Sequence, residues 1–215
     1  MLEVFKHSVK MNSKILQKLL KPILMGALLF TSITGYTQLT DQEVMDRKLG
    51  RYKKDTSYIY TLPYKEGKRI LLIQAANSEM SHKDELSLDF KMNKGTPICA
   101  AREGIVIETK EDNDEGGVKE EYLAKGNHII IQHSDGSKAK YWHLKKEGVL
   151  VNVGDTVTKG QIIGYSGNTG YTAFPHLHFQ VVDGTGKQIM TRFYTRKGVL
   201  YPKPGNWYKA VRESR

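Results

Sequence analysis

Residues 128–144 read HIIIQHSDGSKAKYWHL. Two strand-like runs, His128–His133 and Lys138–Leu144, flank Ser134-Asp135-Gly136-Ser137. Small polar residues with a glycine between such runs are a hairpin signal, so this stretch sets a β reading for the chain. The pattern extends upstream. Leu86-Ser87-Leu88-Asp89-Phe90 alternates, which puts Leu86, Leu88 and Phe90 on one face of a strand and Asp89 on the other. Gly95-Thr96-Pro97 marks a turn before the apolar strand Ile98–Ala101, and Ile105–Glu108 continues it after Gly104. Downstream, turns fall at Gly154-Asp155 and Lys159-Gly160, and His176–Val182 is a further alternating strand. These spacings predict an all-β domain of antiparallel strands over residues 58–195.

Composition narrows the class. The 215 residues are 39% hydrophobic and 26% charged, which excludes wholesale disorder. A single cysteine excludes a disulfide framework and cysteine-rich zinc sites. Part of the net charge of +10 lies at the start, where Lys6, Lys10, Lys14, Lys18 and Lys21 precede an uncharged stretch from Pro22 to Thr40. A basic region, a short apolar core and small or polar residues near Gly35–Thr37 match an export signal over residues 1–37. An uncleaved membrane anchor is the alternative, and the missing cysteine excludes a lipoprotein anchor. Setting 1–37 aside removes five of the 33 basic and one of the 23 acidic residues, leaving +6. No array of arginines with stacking aromatics marks a nucleic-acid module. A basic exported surface fits an anionic envelope polymer better. Residues 38–57 read as a polar leader or short helix, 108–121 as a solvated acidic loop, and 196–215 as a basic tail.

Four of the seven histidines lie in settings that suggest a site. In His176-Leu177-His178 the strand period of two puts both imidazoles on one face and sends Leu177, Phe179 and Val181 to the core. Asp89 opposes the core on its own strand, and His82 lies seven residues upstream. A catalytic zinc takes three protein ligands and keeps a fourth position for water. His82, Asp89 and one of His176 or His178 would supply such a set. His143 ends a strand, with Tyr141 on its face and Trp142 and Leu144 opposite, and is either a core histidine or an acid/base group. His128 and His133 read as structural or surface residues, Tyr58, Tyr60 and Tyr64 as packing, and Cys99 as a small buried hydrophobe.

Taken together, Ser81-His82, Leu88-Asp89-Phe90, Gly95-Thr96-Pro97, Tyr141-x-His143-Leu144, Gly160-Gln161-x-Ile163-Gly164, Gly167-Asn168-Thr169-Gly170 and Pro175-His176-Leu177-His178-Phe179 resemble, in order, the lysostaphin-like zinc endopeptidases. That resemblance implies a two-sheet, hybrid-barrel metallopeptidase fold that hydrolyses peptidoglycan peptides, with Zn2+ as cofactor. It places the zinc ligands on His82, Asp89 and His178 and two further catalytic histidines on His143 and His176. The export signal places that work in the periplasm, cell envelope or exterior, with a membrane met only in export or through an uncleaved leader. One departure is Lys91-Met92-Asn93-Lys94, which reads as a turn that does not touch the ligands, where many members carry Met-Pro after the Asp-Phe pair; the acidic insertion at 108–127 either shapes the groove or is inert. The stretch Val153-Gly154-Asp155 to Gly164 also resembles biotinyl and lipoyl carrier domains, but Lys159 lacks their usual preceding methionine. Other readings are a non-catalytic wall-binding protein, an activator of a separate amidase, and a secreted peptidase of protein substrates.

Overall fold

The computed structural model describes residues 39–51 and 57–211. The expected export signal at 1–37 lies outside the described residues. The quoted hairpin forms as its sequence requires: His128–Gln132 pairs antiparallel with Lys138–Trp142, from His128 opposite Trp142 to Gln132 opposite Lys138. Gly136 takes the left-handed φ of 81° that closes the turn. Asp135 Oδ1 fixes the turn by accepting from the Ser137 N–H at 3.1 Å and its hydroxyl at 2.6 Å.

The hairpin sits inside a nine-stranded sheet. Its main path runs Thr156–Val157, Gly104–Lys110, His128–Gln132, Lys138–Trp142, His176–Val182, Leu88–Lys91, Arg69–Gln74 and Trp207–Lys209. Pairing along this path is antiparallel throughout. A three-stranded sheet of Pro97–Cys99, Ile162–Ser166 and Leu144–Val149 shares the core with it. Leu72, Phe90, Ile129, Ile131, Tyr141, Leu177, Phe179 and Val181 from the large sheet join Ile98, Leu144 and Ile163 from the small one in a single apolar cluster. The all-β, antiparallel expectation therefore holds, and Leu177, Phe179 and Val181 point inward as strand periodicity requires.

Two expectations change. Residues 196–215 are not a free tail over their described part. Gly198–Leu200 pairs with Arg192–Thr195, Trp207–Lys209 pairs with Arg69–Gln74, and Tyr201, Tyr208 and Ala210 are buried. Of the two readings of residues 38–57, the short helix forms, Asp41–Lys48, started by a Thr40–Glu43 capping box. Its Val44 is buried with Ala76, Leu86, Met190 and Tyr201 in a second cluster, so Leu86 leaves the main core. The acidic segment is exposed but not merely a loop: Gly116–Gly117 pairs with Gly170–Tyr171, and Glu120–Lys125 forms a 3-10 helix. Tyr60 and Tyr64 pack in the core, and Cys99 is buried with its thiol pushed up to about 11 by burial.

Candidate metal centre

Sheet register builds the centre. His178 lies directly opposite Asp89 on one side and Trp142 on the other. With Leu177 and Phe179 committed to the core, His176 and His178 must face the opposite surface, where Asp89 also points. His178 Nδ1 is 3.0 Å from Asp89 Oδ1. His82 reaches the same carboxylate from the loop before the strand, with Nε2 at 3.2 Å from Oδ2. That loop is closed by hydrogen bonds from the His82 N–H to Ser78 O and from the Glu85 N–H to His82 O, at 3.1 and 3.0 Å. Gln74, on the neighbouring strand, donates from Nε2 to Asp89 Oδ2 at 2.8 Å while its Oε1 accepts from the Ser81 N–H at 3.2 Å.

His143 enters by a different route. Strict alternation would put it on the face of Tyr141, which is buried, and so send it inward. Instead its φ is 66°, a left-handed value that breaks the alternation where the chain passes from Lys138–Trp142 in the large sheet to Leu144–Val149 in the small one. The change of direction leaves Tyr141 and Leu144 in the core and turns His143 into the cleft. Gly167 fixes the break by donating its N–H to His143 O at 2.8 Å; a Cβ there would lie 2.5 Å from the Leu144 carbonyl carbon and the Lys145 nitrogen.

Five sequence-predicted residues thus converge. Ligand atoms of His82, Asp89 and His178 lie within 4.8 Å of one another, and so do those of His143, His176 and His178. All line a cleft of about 530 Å³ whose other walls include Met80, Val118, Lys140, Trp142, Tyr171 and Phe174. His128 and His133 stay outside it. His128 bridges Gly126 O and Glu108 at 3.0 and 2.8 Å, and His133 Nδ1 is 2.7 Å from Glu103 O. Sequence reasoning missed Gln74 and Glu85. Glu85 Oε1 lies 3.2 Å from His178 Nε2, and no periodic pattern marks an acid within a polar loop.

Charge in the centre is set by burial against close partners. Burial opposes ionisation of Asp89, but hydrogen bonds from His178 and His82 outweigh it and hold the carboxyl well below the usual carboxylate range. Burial likewise works against Glu85, yet its His178 and Ser87 contacts bring it down to about 2. Burial would strip the proton from His178, but Asp89 and Glu85 together raise it to about 9. His143 is pushed down to about 3 by burial and by its neighbours His176 and His178, and burial lowers His176 as well. The cluster therefore favours one positive charge beside Asp89, and a divalent cation competes for that place by displacing the proton. Two imidazole nitrogens with one carboxylate oxygen are a donor set that fits a catalytic divalent metal.

Known proteins are similar to part of this chain. The chain is 37% identical over 94 residues to peptidoglycan DD-endopeptidase ShyA of Vibrio cholerae, which is 44% of this chain and 19% of the relative. It is 45% identical over 94 residues to lysostaphin of Staphylococcus simulans, 43% of this chain and 17% of the relative. The chain thus spans about a fifth of the length of these curated relatives. The solved catalytic domain of Staphylococcus simulans lysostaphin is 36% identical, with 54% of this chain and 80% of that one covered at a TM-score of 0.42. The sequence model of peptidase family M23 covers residues 83–190, including Asp89, His143, His176 and His178, and the chain belongs to that family.

Proposed function

We propose that the chain is an exported zinc endopeptidase that hydrolyses peptide bonds in peptidoglycan stems or cross-bridges, with zinc held by His82 Nε2, an Asp89 oxygen and His178 Nδ1. The observation that carries this is the convergence of those three donors beside two further imidazoles in one cleft. The substrate class is supported by the names of relatives, a peptidoglycan DD-endopeptidase and a glycyl-glycine endopeptidase among them. Export is supported by the basic and apolar character of residues 1–37.

Zinc supplies Lewis acidity that polarises a carbonyl and lowers the pKa of a bound water toward about 7. The remaining chemistry belongs to side chains. A backbone carbonyl only accepts, so His143 Nδ1 carries the proton it gives to Thr169 O at 2.8 Å, and His176 Nδ1 carries the one it gives to Phe174 O at 2.9 Å. Each ring is thereby turned so that Nε2 presents a lone pair to the cleft. Burial keeps both rings neutral. Such a pair takes a proton from the attacking water and returns it to the departing amine. With no His-Glu-x-x-His motif in the sequence, proton transfer rests on these histidines.

Digestion of purified sacculi, read by mass spectrometry of the released muropeptides, tests this. Wild type should release new peptide ends. His143→Ala should keep zinc by elemental analysis and lose about 10²–10⁴-fold in rate, whereas Asp89→Ala should lose zinc and rate together. Equal release by zinc-loaded wild type and His143→Ala would overturn the assignment.

A further inference from the structure

Among the described residues Glu85 is the one acid in the cleft besides Asp89, and the proposed ligand set leaves it without a role. It sits in the turn joining His82 to Asp89, and that turn is held on both sides. The Glu85 N–H donates to His82 O at 3.0 Å, and its carbonyl accepts from the Asn77 N–H at 2.8 Å. The side chain is a junction. Oε1 accepts from the Ser87 hydroxyl at 2.6 Å and from Gln180 Nε2 at 3.1 Å, and it lies 3.2 Å from His178 Nε2. Gln180 itself is held by Ser87, its Nε2 donating to Oγ at 3.1 Å.

His178 therefore has a carboxylate at each nitrogen, Asp89 at Nδ1 and Glu85 at Nε2. An imidazole that ligates a metal must present a lone pair at one nitrogen and carry its proton at the other. Asp89 cannot select that tautomer, because it stands on the metal side of the ring. An acceptor on the far side can.

We propose that Glu85 is a positioning residue for the metal, holding the His178 proton on Nε2 and fixing the ring so that Nδ1 faces the ion. This rests on the zinc reading above. The carboxylate also makes His178 a more basic donor, and it ties the His82–Asp89 loop to the strand that carries His176 and His178. Partners of this kind typically contribute about 10–100-fold in metal affinity.

Zinc affinity of the full chain, measured by competition with a chromophoric chelator at fixed pH, tests the role without relying on turnover. Glu85→Ala removes both acceptor and charge and should weaken binding by about 10–100-fold. Glu85→Gln keeps an acceptor oxygen and should lie between Glu85→Ala and wild type. The visible spectrum of the cobalt-loaded protein should shift in Glu85→Ala and return toward wild type in Glu85→Gln. Circular dichroism of the metal-free variants reports their fold; should Glu85→Ala not fold, a Glu85→Gln affinity equal to wild type overturns the proposal. Affinities and cobalt spectra indistinguishable among folded variants overturn it too. A folded wild type that binds no zinc overturns the function proposed above as well, so the two failures are separate.

Discussion

His143 shows what the site asks of a single residue. A left-handed φ costs a residue with a Cβ about 1–2 kcal/mol, and here it is met by a histidine at 66°. The surroundings impose it: the Nδ1 bond to Thr169 O and the Gly167 bond to His143 O grip the residue from both ends. Strain held this way is a feature of functional positions, because the same contacts that impose it also aim the side chain. His143→Gly should accordingly be more stable than His143→Ala by about 1 kcal/mol, although both lack the imidazole. Urea unfolding of the two metal-free variants checks this, and equal midpoints would place the backbone outside the left-handed region. The sequence carried the identity of this residue through its motif but not its direction. Strand periodicity assigned it to the face of Tyr141, and periodicity ends where the strand does. His176 and His178 were readable because they lie inside a regular strand whose alternate residues fill the core.

The hairpin from His128 to Trp142 is the element whose sequence was most legible, because a turn signal and two apolar runs agree on one register. What the sequence did not disclose is how the turn is tied to the rest of the fold. Asp135 accepts from the nearly buried Arg102 at 2.7 Å, and the Arg102 guanidinium lies 3.8 Å above the Tyr58 ring. These partners are 33 and 44 positions apart in the chain, too far for any local pattern to link them. Burial opposes the charge on Asp135, but the Ser137 hydroxyl and Arg102 outweigh it and hold the carboxyl near 2. A folded value below the ordinary carboxylate value of about 3.9 means that ionised Asp135 stabilises the fold above that pH. The contribution is lost as pH falls toward about 2. Asp135 is half exposed, so solvent screens the pair and the effect stays below about 1 kcal/mol. Urea midpoints of wild type and Asp135→Asn should differ most near neutrality and draw together as the pH drops through this window. A gap that is constant with pH would mean that only the neutral hydrogen bonds matter.

At the scale of the whole molecule, the final segment changes from a charge feature to a structural one. Eight basic residues between Lys187 and Arg215 made the end of the sequence read as a basic tail, and short strands broken by proline and glycine gave too weak a pattern to show otherwise. In the fold, Trp207–Lys209 extends the large sheet beside Arg69–Gln74, and Arg69–Gln74 pairs in turn with the strand bearing Asp89. Gly205 and Asn206 bond the backbone of Leu72, Ala210 bonds that of Gly67 and Lys68, and the Tyr64 hydroxyl donates to Tyr208 O at 2.8 Å. The segment therefore supports Gln74, which in turn holds Asp89. Ending the chain at Thr195 would expose the partners of Tyr201 and Tyr208, two large side chains whose burial contributes about 1.5–3 kcal/mol each. Against a total stability of about 5–15 kcal/mol, that loss together with an unpaired sheet edge should leave the truncated chain largely unfolded at room temperature. Tyr208→Ala should show a graded version, losing about 3 kcal/mol and weakening the proposed zinc binding in proportion to the loosening of Gln74. Denaturant unfolding and circular dichroism distinguish the cases: a chain ending at Thr195 that unfolds at the wild-type midpoint and still cleaves sacculi would return residues 196–215 to a dispensable appendage.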